Sequence, residues 1–193
     1  MTIKSAPGSV RIIAGSLRGS KLRVLSADGL RPTPDRVRET LFNWLANSLI
    51  NAHVLDAFAG TGALGIEALS RGAAFVDFVE INPALAQNLQ AELNRLNVAD
   101  RAAVHTLEAI SALPRLCAAR APQLVFVDPP FAKALHQPTI DVLTNCLLPA
   151  SLLYLEAPLN QMPKFNAAWI SHRRGSAGAV EFAIWRKLAI HEA

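Results

Sequence analysis

HVLDAFAGTGALGIEAL, residues 53–69, is the stretch that decides the fold. HVLDAF is a short apolar run ending near a carboxylate, as a buried strand does at the edge of a sheet. GALGIEAL has the composition of a helix. Between them Gly60, Gly62 and Gly65 satisfy G-x-G-x-x-G. Glycines at this spacing permit a tight turn and let a ligand approach the backbone at a helix N-terminus. Strand, glycine loop and helix in that order open a βαβ unit.

Reading toward the C-terminus, the alternation continues. AFVDFVEI (74–81), RAAVHTL (101–107), QLVFVD (123–128) and SLLYLEA (151–157) read as further buried strands. GALGIEALSRG (62–72), PALAQNLQAELNRLNV (83–98), 109–119 and 134–146 read as the helices between them. Near-continuous apolar strands separated by amphipathic helices indicate a parallel sheet covered on both faces. AAWISHRR (167–174) and AVEFAIWRKL (179–188), around RGSAG, read as a closing antiparallel hairpin. The expectation is an α/β fold: a doubly wound, mostly parallel seven-stranded sheet, Rossmann-like, with an N-terminal β-hairpin extension.

That extension lies upstream. VRIIAG (10–15) and KLRVL (21–25) flank SLRGS, with Gly19 near the turn, and their arginines alternate with β-branched residues so that one face can be basic while the other packs. RPTP blocks helix at Pro32, and Thr33 or Asp35 can then cap a helix over Pro34–Leu49, where Val37, Leu41, Trp44, Leu45 and Leu49 form an apolar stripe. Arg36 and Arg38 fall in its first turn, where cations oppose the helix dipole unless something anionic approaches. The domain reading is a basic arm over 1–33 and a catalytic-type domain over 34–193.

Charge is unevenly placed. Residues 1–40 carry eight basic side chains against three acidic, a net of +5, while the other 153 residues carry eleven against twelve. One terminal segment thus supplies the whole basic excess, and a polyanion such as nucleic acid is the partner this suits. Composition removes other classes. Half the residues are hydrophobic (51%), which argues against disorder. The start MTIKSAPGSV has no apolar signal core. The longest apolar run, CLLPASLLYL (146–155), is about half the ~20 residues a membrane span needs. Cys117 and Cys146 stand apart without a CxxC, and the five histidines are scattered, so neither a metal site nor a disulfide framework is expected. A soluble, cytoplasmic, monomeric protein is the expectation.

In doubly wound sheets ligands sit at the carboxyl ends of the strands, so the residues there carry the chemistry. The glycine loop alone suits a dinucleotide oxidoreductase as well as any nucleoside-binding enzyme. Asp56, at its mouth, would repel a pyrophosphate but suits the cationic end of S-adenosylmethionine. Glu80, ending the next strand, can accept from both ribose hydroxyls. Glu108, after the third, can contact an adenine or cap its helix. The fourth strand leaves the sheet as VFVDPPF (125–131). Pro129 and Pro130 form a rigid corner without N–H groups but with carbonyl acceptors. Asp128 plus a proline carbonyl can grip an NH2 group, and Phe131 offers a planar base a face to stack on. Holding both hydrogens of an exocyclic amine localises its lone pair towards an electrophilic methyl, so no separate base is needed.

DAFAGTG (56–62), VEINP (79–83) and VFVDPPF (125–131) resemble class I S-adenosylmethionine-dependent methyltransferases acting on an exocyclic amine. With RIIAGSLRGSKLRV (11–24) followed by RPTPDRVRETLFNWL (31–45), the chain resembles the RsmD family of 16S ribosomal RNA guanine-N2 methyltransferases over about Val10–Lys187. The resemblance implies transfer of a methyl group from S-adenosylmethionine to one guanine of 16S rRNA, on an assembling small ribosomal subunit. It implies that Asp56, Phe58, Gly60, Thr61 and Gly62 shape the methionine and ribose part of the cofactor site. Glu80 would hold the ribose, with Ile81 and Glu108 flanking the adenine. Asp128, Pro129, Pro130 and Phe131 would hold the guanine, with Arg31, Thr33 and Arg36 over the active site. Arg11, Arg18, Lys21 and Arg23 are the remaining RNA-binding candidates. The family often has Asn or Asp at the position of Glu108. Alternatives that share parts of this pattern are an adenine-N6 methyltransferase on RNA or DNA and a non-catalytic RNA-binding assembly factor. The sequence does not name the guanine or what selects it over adenine.

Overall fold

The computed structural model describes residues 5–25 and 35–189. Strands β1 (Ser5–Arg11) and β2 (Lys21–Leu25) form an antiparallel hairpin of their own. Helix α1 (Asp35–Trp44) leads into β3 (His53–Asp56), α2 (Ala63–Ser70), β4 (Phe75–Val79), α3 (Pro83–Arg95), β5 (Ala102–His105), α4 (Ala109–Arg120), β6 (Leu124–Val127), α5 (His136–Cys146), β7 (Leu152–Pro158), β8 (Trp169–Ala177) and β9 (Val180–Lys187). The main sheet has seven strands in the order β5-β4-β3-β6-β7-β9-β8. β5, β4, β3, β6 and β7 run parallel, and β9 and β8 are antiparallel additions.

Two hydrophobic cores fill the space on either side of the sheet. One joins the hairpin and α1–α3 to the sheet through Leu41, Phe42, Ile66, Phe78, Leu89, Phe126 and Tyr154. The other packs α4 and α5 through Leu113, Leu116, Ile140 and Leu143 against Leu55, Val125, Val127 and Leu153. Alternation along each strand sorts the side chains: Phe126 and Tyr154 go to the first core, Val125, Val127, Leu153 and Leu155 to the second.

The hairpin alternates as its sequence requires. Val10, Ile12 and Leu22 are buried in the first core, while Ser9, Arg11, Lys21 and Arg23 are exposed. Full burial of a side chain such as Ile12 or Leu22 is worth about 1.5–3 kcal/mol, so the basic face is held by an apolar one.

Several boundaries differ from expectation. β1 ends at Arg11, and the amides of Ile13 and Ala14 donate instead to the Glu67 carboxylate at 2.7 and 3.0 Å. The helix expected to reach Leu49 ends at Trp44, and a single 3-10 turn over Ala46–Ser48 carries the chain on. RGSAG (174–178) was expected to hold the last turn; β8 runs through its first four residues to Ala177, and the reversal comes at its last, Gly178, whose φ is +58°. Gly175 pairs with Phe182 in β9, and the absence of a side chain there makes room for the Phe182 ring, which stands 2.7 Å from where a Cβ would lie. Pro32, Thr33 and Pro34, to which the helix start was assigned, lie outside the described residues.

Candidate active site

The chain leaves β3 at Asp56 and turns through Ala57–Gly62 into α2. Gly60 and Gly62 hold φ values of +53° and +76°, in the left-handed region that favours glycine. Gly65 serves a different purpose: it lies inside α2, where an added Cβ would meet the Phe78 ring at 2.1 Å. Its absence lets α2 lie close on β4, and the Gly65 amide donates to Asp56 Oδ2 at 3.1 Å.

Asp56 is 3% exposed. Burial, which outweighs the Gly65 amide, and the nearby charge of Glu80 raise its pKa from 3.8 to about 7. An acid held there gains most from a cation placed beside it. Glu80 follows β4 and accepts from the Gly60 amide at 2.9 Å and the Asn82 amide at 2.8 Å, one on each carboxylate oxygen. These bonds tie the loop after β3 to the end of β4 and aim the carboxylate, which retains lone pairs for further donors. Asn82 caps α3 through the Ala84 and Leu85 amides, with Pro83 at the first helical position.

Ile81 is 57% exposed and Leu107 41%. Each follows the end of one of two neighbouring strands, two residues beyond the last pair Val79↔His105. Two large apolar side chains left open beside Glu80 make a wall suited to a flat ring. Leu107 had not been singled out in the sequence, where it reads as the end of an apolar strand. Glu108 acts as the cap of α4, accepting from the Ile110 and Ser111 amides at 3.1 and 2.8 Å. Although slight burial acts the other way, these bonds hold its pKa below the usual value. Of its two expected roles, the capping one is occupied. Phe58 is half-buried against the second core, and Thr61 is buried in the loop.

β6 lies next to β3, where the strand order reverses. Asp128 is half-buried, Pro129 buried and Pro130 exposed, and Phe131, 43% exposed, begins a short 3-10 turn over Phe131–Lys133. Phe131 lines a cleft of about 260 Å³ with Ala134, His136, Gln137, Pro158, Gln161 and Pro163. Its ring centroid stands 5.8 Å from that of His136. The His136 ring nitrogen Nε2 donates to the Glu156 carbonyl at 2.9 Å, so it carries the hydrogen, and burial lowers the pKa of the ring.

A second carboxylate stands here that the sequence reading passed over. Glu156, on β7, is 4% exposed and accepts from the Tyr154 hydroxyl at 2.8 Å through Oε1. The signal was present: an acidic residue stands near the carboxyl end of an apolar strand, as Asp128 does.

Of the RNA candidates, Arg11, Arg18, Lys21, Arg23 and Arg36 are exposed, and Arg31 lies outside the described residues. Arg11 and Arg18 share a cleft of about 320 Å³ with Asp35 and Glu39. Arg38 takes another course. It is wholly buried, donates to the Arg11 carbonyl at 2.8 Å and Asp35 Oδ1 at 2.7 Å, and lies 3.9 Å from Glu67. The anionic company its place in α1 called for comes from the protein.

A sheet of this order, with a glycine loop leaving its central strand and a carboxylate ending the next, has the architecture of class I methyltransferases. A family model, conserved hypothetical protein 95, matches residues 10–186. Ribosomal RNA small subunit methyltransferase D of Escherichia coli is 42% identical over 96% of this chain and 93% of that protein. Its Haemophilus influenzae counterpart is 38% identical over 94% of this chain and 96% of that protein. The solved structure of Escherichia coli yhhF, 41% identical, superposes with a TM-score of 0.82 over 94% of this chain and 99% of that one. An RNA methyltransferase from Salinibacter ruber in complex with S-adenosyl-L-homocysteine shares the fold at 17% identity and a TM-score of 0.66, over 84% of this chain and 98% of that one. The chain belongs to the ribosomal RNA small subunit methyltransferase D family and is a methyltransferase.

Proposed function

We propose that this protein transfers a methyl group from S-adenosylmethionine to the exocyclic N2 of one guanine in 16S rRNA, within an assembling small ribosomal subunit. The observation that carries the reading is the Asp128-Pro129-Pro130-Phe131 exit from β6, next to the glycine loop of β3. The full-length likeness to ribosomal RNA small subunit methyltransferase D supports the substrate.

The residues present fit the cofactor. Asp56, buried and with its pKa near 7, suits an ammonium group. Gly60 and Gly62 open the backbone to the ligand, Glu80 faces the ribose, and Ile81 with Leu107 walls the adenine. The bound cofactor supplies an electrophilic methyl on a sulfonium. Phe131 stacks the target base, and Asp128 with the Pro129 carbonyl accepts the two N2 hydrogens. This draws the amine lone pair out of conjugation and towards the methyl. The N2–C bond forms as the C–S bond breaks, and the amine then sheds one proton to Asp128 or water. Residues 1–33 act as a basic arm on the phosphates, through Arg11, Arg18, Lys21, Arg23 and Arg31, with Arg36 at the start of the 34–193 domain. Phosphate contacts of this kind set register and carry no sequence information.

The test is transfer of labelled methyl to naked 16S RNA, to unmodified small subunits and to DNA, followed by nucleoside analysis. Label in N2-methylguanosine is expected, and with Asp128→Ala it should fall at least about 10²-fold while cofactor affinity is kept. Label in N6-methyladenine, or full turnover in Asp128→Ala, overturns the reading.

A further inference from the structure

Guanine and adenine both offer an exocyclic amine, so the grip of Asp128 and Pro129 does not choose between them. They differ at ring N1, where guanine carries a hydrogen and adenine a lone pair. Choosing guanine therefore requires an acceptor beside the one that holds the amine.

β7 puts a carboxylate in that place. The last paired residues of β6 and β7 are Val127 and Leu155, on strands about 4.8 Å apart, and Asp128 and Glu156 are the residues that follow this pair. Phe126 and Tyr154 share one face of the sheet, with ring centroids 6.1 Å apart, and Asp128 and Glu156 lie two residues further along the same face. Tyr154 registers both. Burial first, then the charge of Glu156 and its hydrogen bond, then the charge of Asp128, push the phenol pKa well above its ordinary value.

Glu156 is also fixed. The Tyr154 hydroxyl holds Oε1 at 2.8 Å, and His136, whose ring neighbours Phe131, holds the Glu156 carbonyl at 2.9 Å. Burying a carboxylate within a strand is costly, and an apolar residue would fill the space without that cost.

We propose that Glu156 accepts the N1–H of the target guanine, beside the Asp128 that accepts from its amine, and so excludes adenine. The proposal rests on the guanine-N2 reading above. An adenine in the same pose would turn a lone pair towards the carboxylate. A site built to receive a substrate N–H rejects an analogue lacking it by factors of about 10⁴–10⁵.

The experiment uses small subunits in which the guanine that the wild type labels is replaced by 2-aminopurine. That base keeps the amine but has a lone pair at N1 and no O6. Wild-type kcat/KM should fall by at least about 10³-fold on this substrate. Glu156→Gln should slow transfer to guanine by about 10²-fold and narrow the guanine to 2-aminopurine ratio at least about tenfold, because the amide can donate to an N1 lone pair. Cofactor affinity should stay as in the wild type. The ratio separates base reading from general damage, which slows both substrates alike. Equal transfer to both bases by the wild type overturns the proposal without any variant, and so does an unchanged ratio in Glu156→Gln. If that variant does not fold, Tyr154→Phe, which releases the carboxylate, takes its place. It should also narrow the ratio, and an unchanged ratio counts against the proposal. Absence of label in any guanine defeats the functional reading itself, which is a separate outcome.

Discussion

Arg11 and Lys21 face each other directly across the β1–β2 hairpin, both exposed, and neither forms an ion pair with any of the described residues. Like charges placed opposite one another in an antiparallel pair are destabilising. Arg23 continues the row on β2, opposite Ser9. Retaining this repulsion over an apolar face that is otherwise well packed is the arrangement expected of a surface made for a polyanion.

Replacing Lys21 with Thr should therefore leave the melting temperature unchanged or raise it by about 1–2 °C, the scale of a relieved cross-strand pair. Affinity for small-subunit RNA should drop, and the slope of log K against log salt should lessen by about 0.7–0.9 for each phosphate contact removed. Salt titrations of RNA binding for the wild type and Lys21→Thr check this. An unchanged slope would remove Lys21 from the RNA surface.

Asp56 gives the site a pH dependence. With its pKa near 7 in the free protein, the carboxyl is protonated below that value, whereas a ligand ammonium requires the charged form. Binding of S-adenosylmethionine should then release a proton, weakening about tenfold for each pH unit below 7 and levelling off above it. For the protein without ligand the direction is the reverse. An acid raised from 3.8 to about 7 keeps its proton when folded and loses it when unfolded, so stability should decline as pH rises through that window. Calorimetry in buffers of differing ionisation enthalpy counts the released proton. Asp56→Asn should bind weakly and without the pH step.

Phe131 is open enough that its removal should be mild for the fold yet severe for turnover. Phe131→Ala should change stability by less than about 1 kcal/mol, as substitutions at open positions do. Loss of a base–aromatic stack, about 1–3 kcal/mol, lowers kcat/KM on RNA by roughly 5- to 150-fold. Phe131→Tyr keeps a flat face and should restore most of it. Initial rates beside thermal melts test the split, and a rate unaffected by Phe131→Ala would place the base elsewhere.

What could be read from the sequence was what shows as local pattern. The glycine loop, the alternation of strands and helices, and the acidic ends of β3, β4 and β6 announce themselves within a few residues. Long-range partners do not. The cap made by Glu108 was one of two readings until its bonds to Ile110 and Ser111 were located. Arg38 looks like any first-turn cation, and only the fold brings it to Glu67, which is itself hidden in the apolar run of α2. RGSAG reads as a turn because glycine and serine cluster there, yet pairing with β9 keeps all but its last residue, Gly178, extended. Glu156 was missed because its meaning depends on the residue across the strand.

Glu67 is one of the residues that tie the N-terminal hairpin to α2. It is wholly buried on α2, accepts from the Ile13 and Ala14 amides where β1 ends, and receives Arg71 Nε at 2.7 Å with Arg38 Nη1 at 3.9 Å. Arg38 in turn holds the Arg11 carbonyl, so one carboxylate joins the hairpin, α1 and α2. Glu67→Ala leaves the Arg71 guanidinium and two amides without their acceptor and removes the charge facing buried Arg38, a loss of about 3–5 kcal/mol. At about 2–4 °C per kcal/mol, the melting temperature should fall by roughly 6–20 °C. Glu67→Gln keeps one acceptor and should fall between Glu67→Ala and the wild type. RNA affinity should decline with Glu67→Ala more than cofactor affinity does, since the cofactor loop is held separately by Asp56 and Glu80. Thermal melts and the two binding constants decide it: equal loss of both affinities would mean that Glu67 supports the whole domain and not the arm in particular.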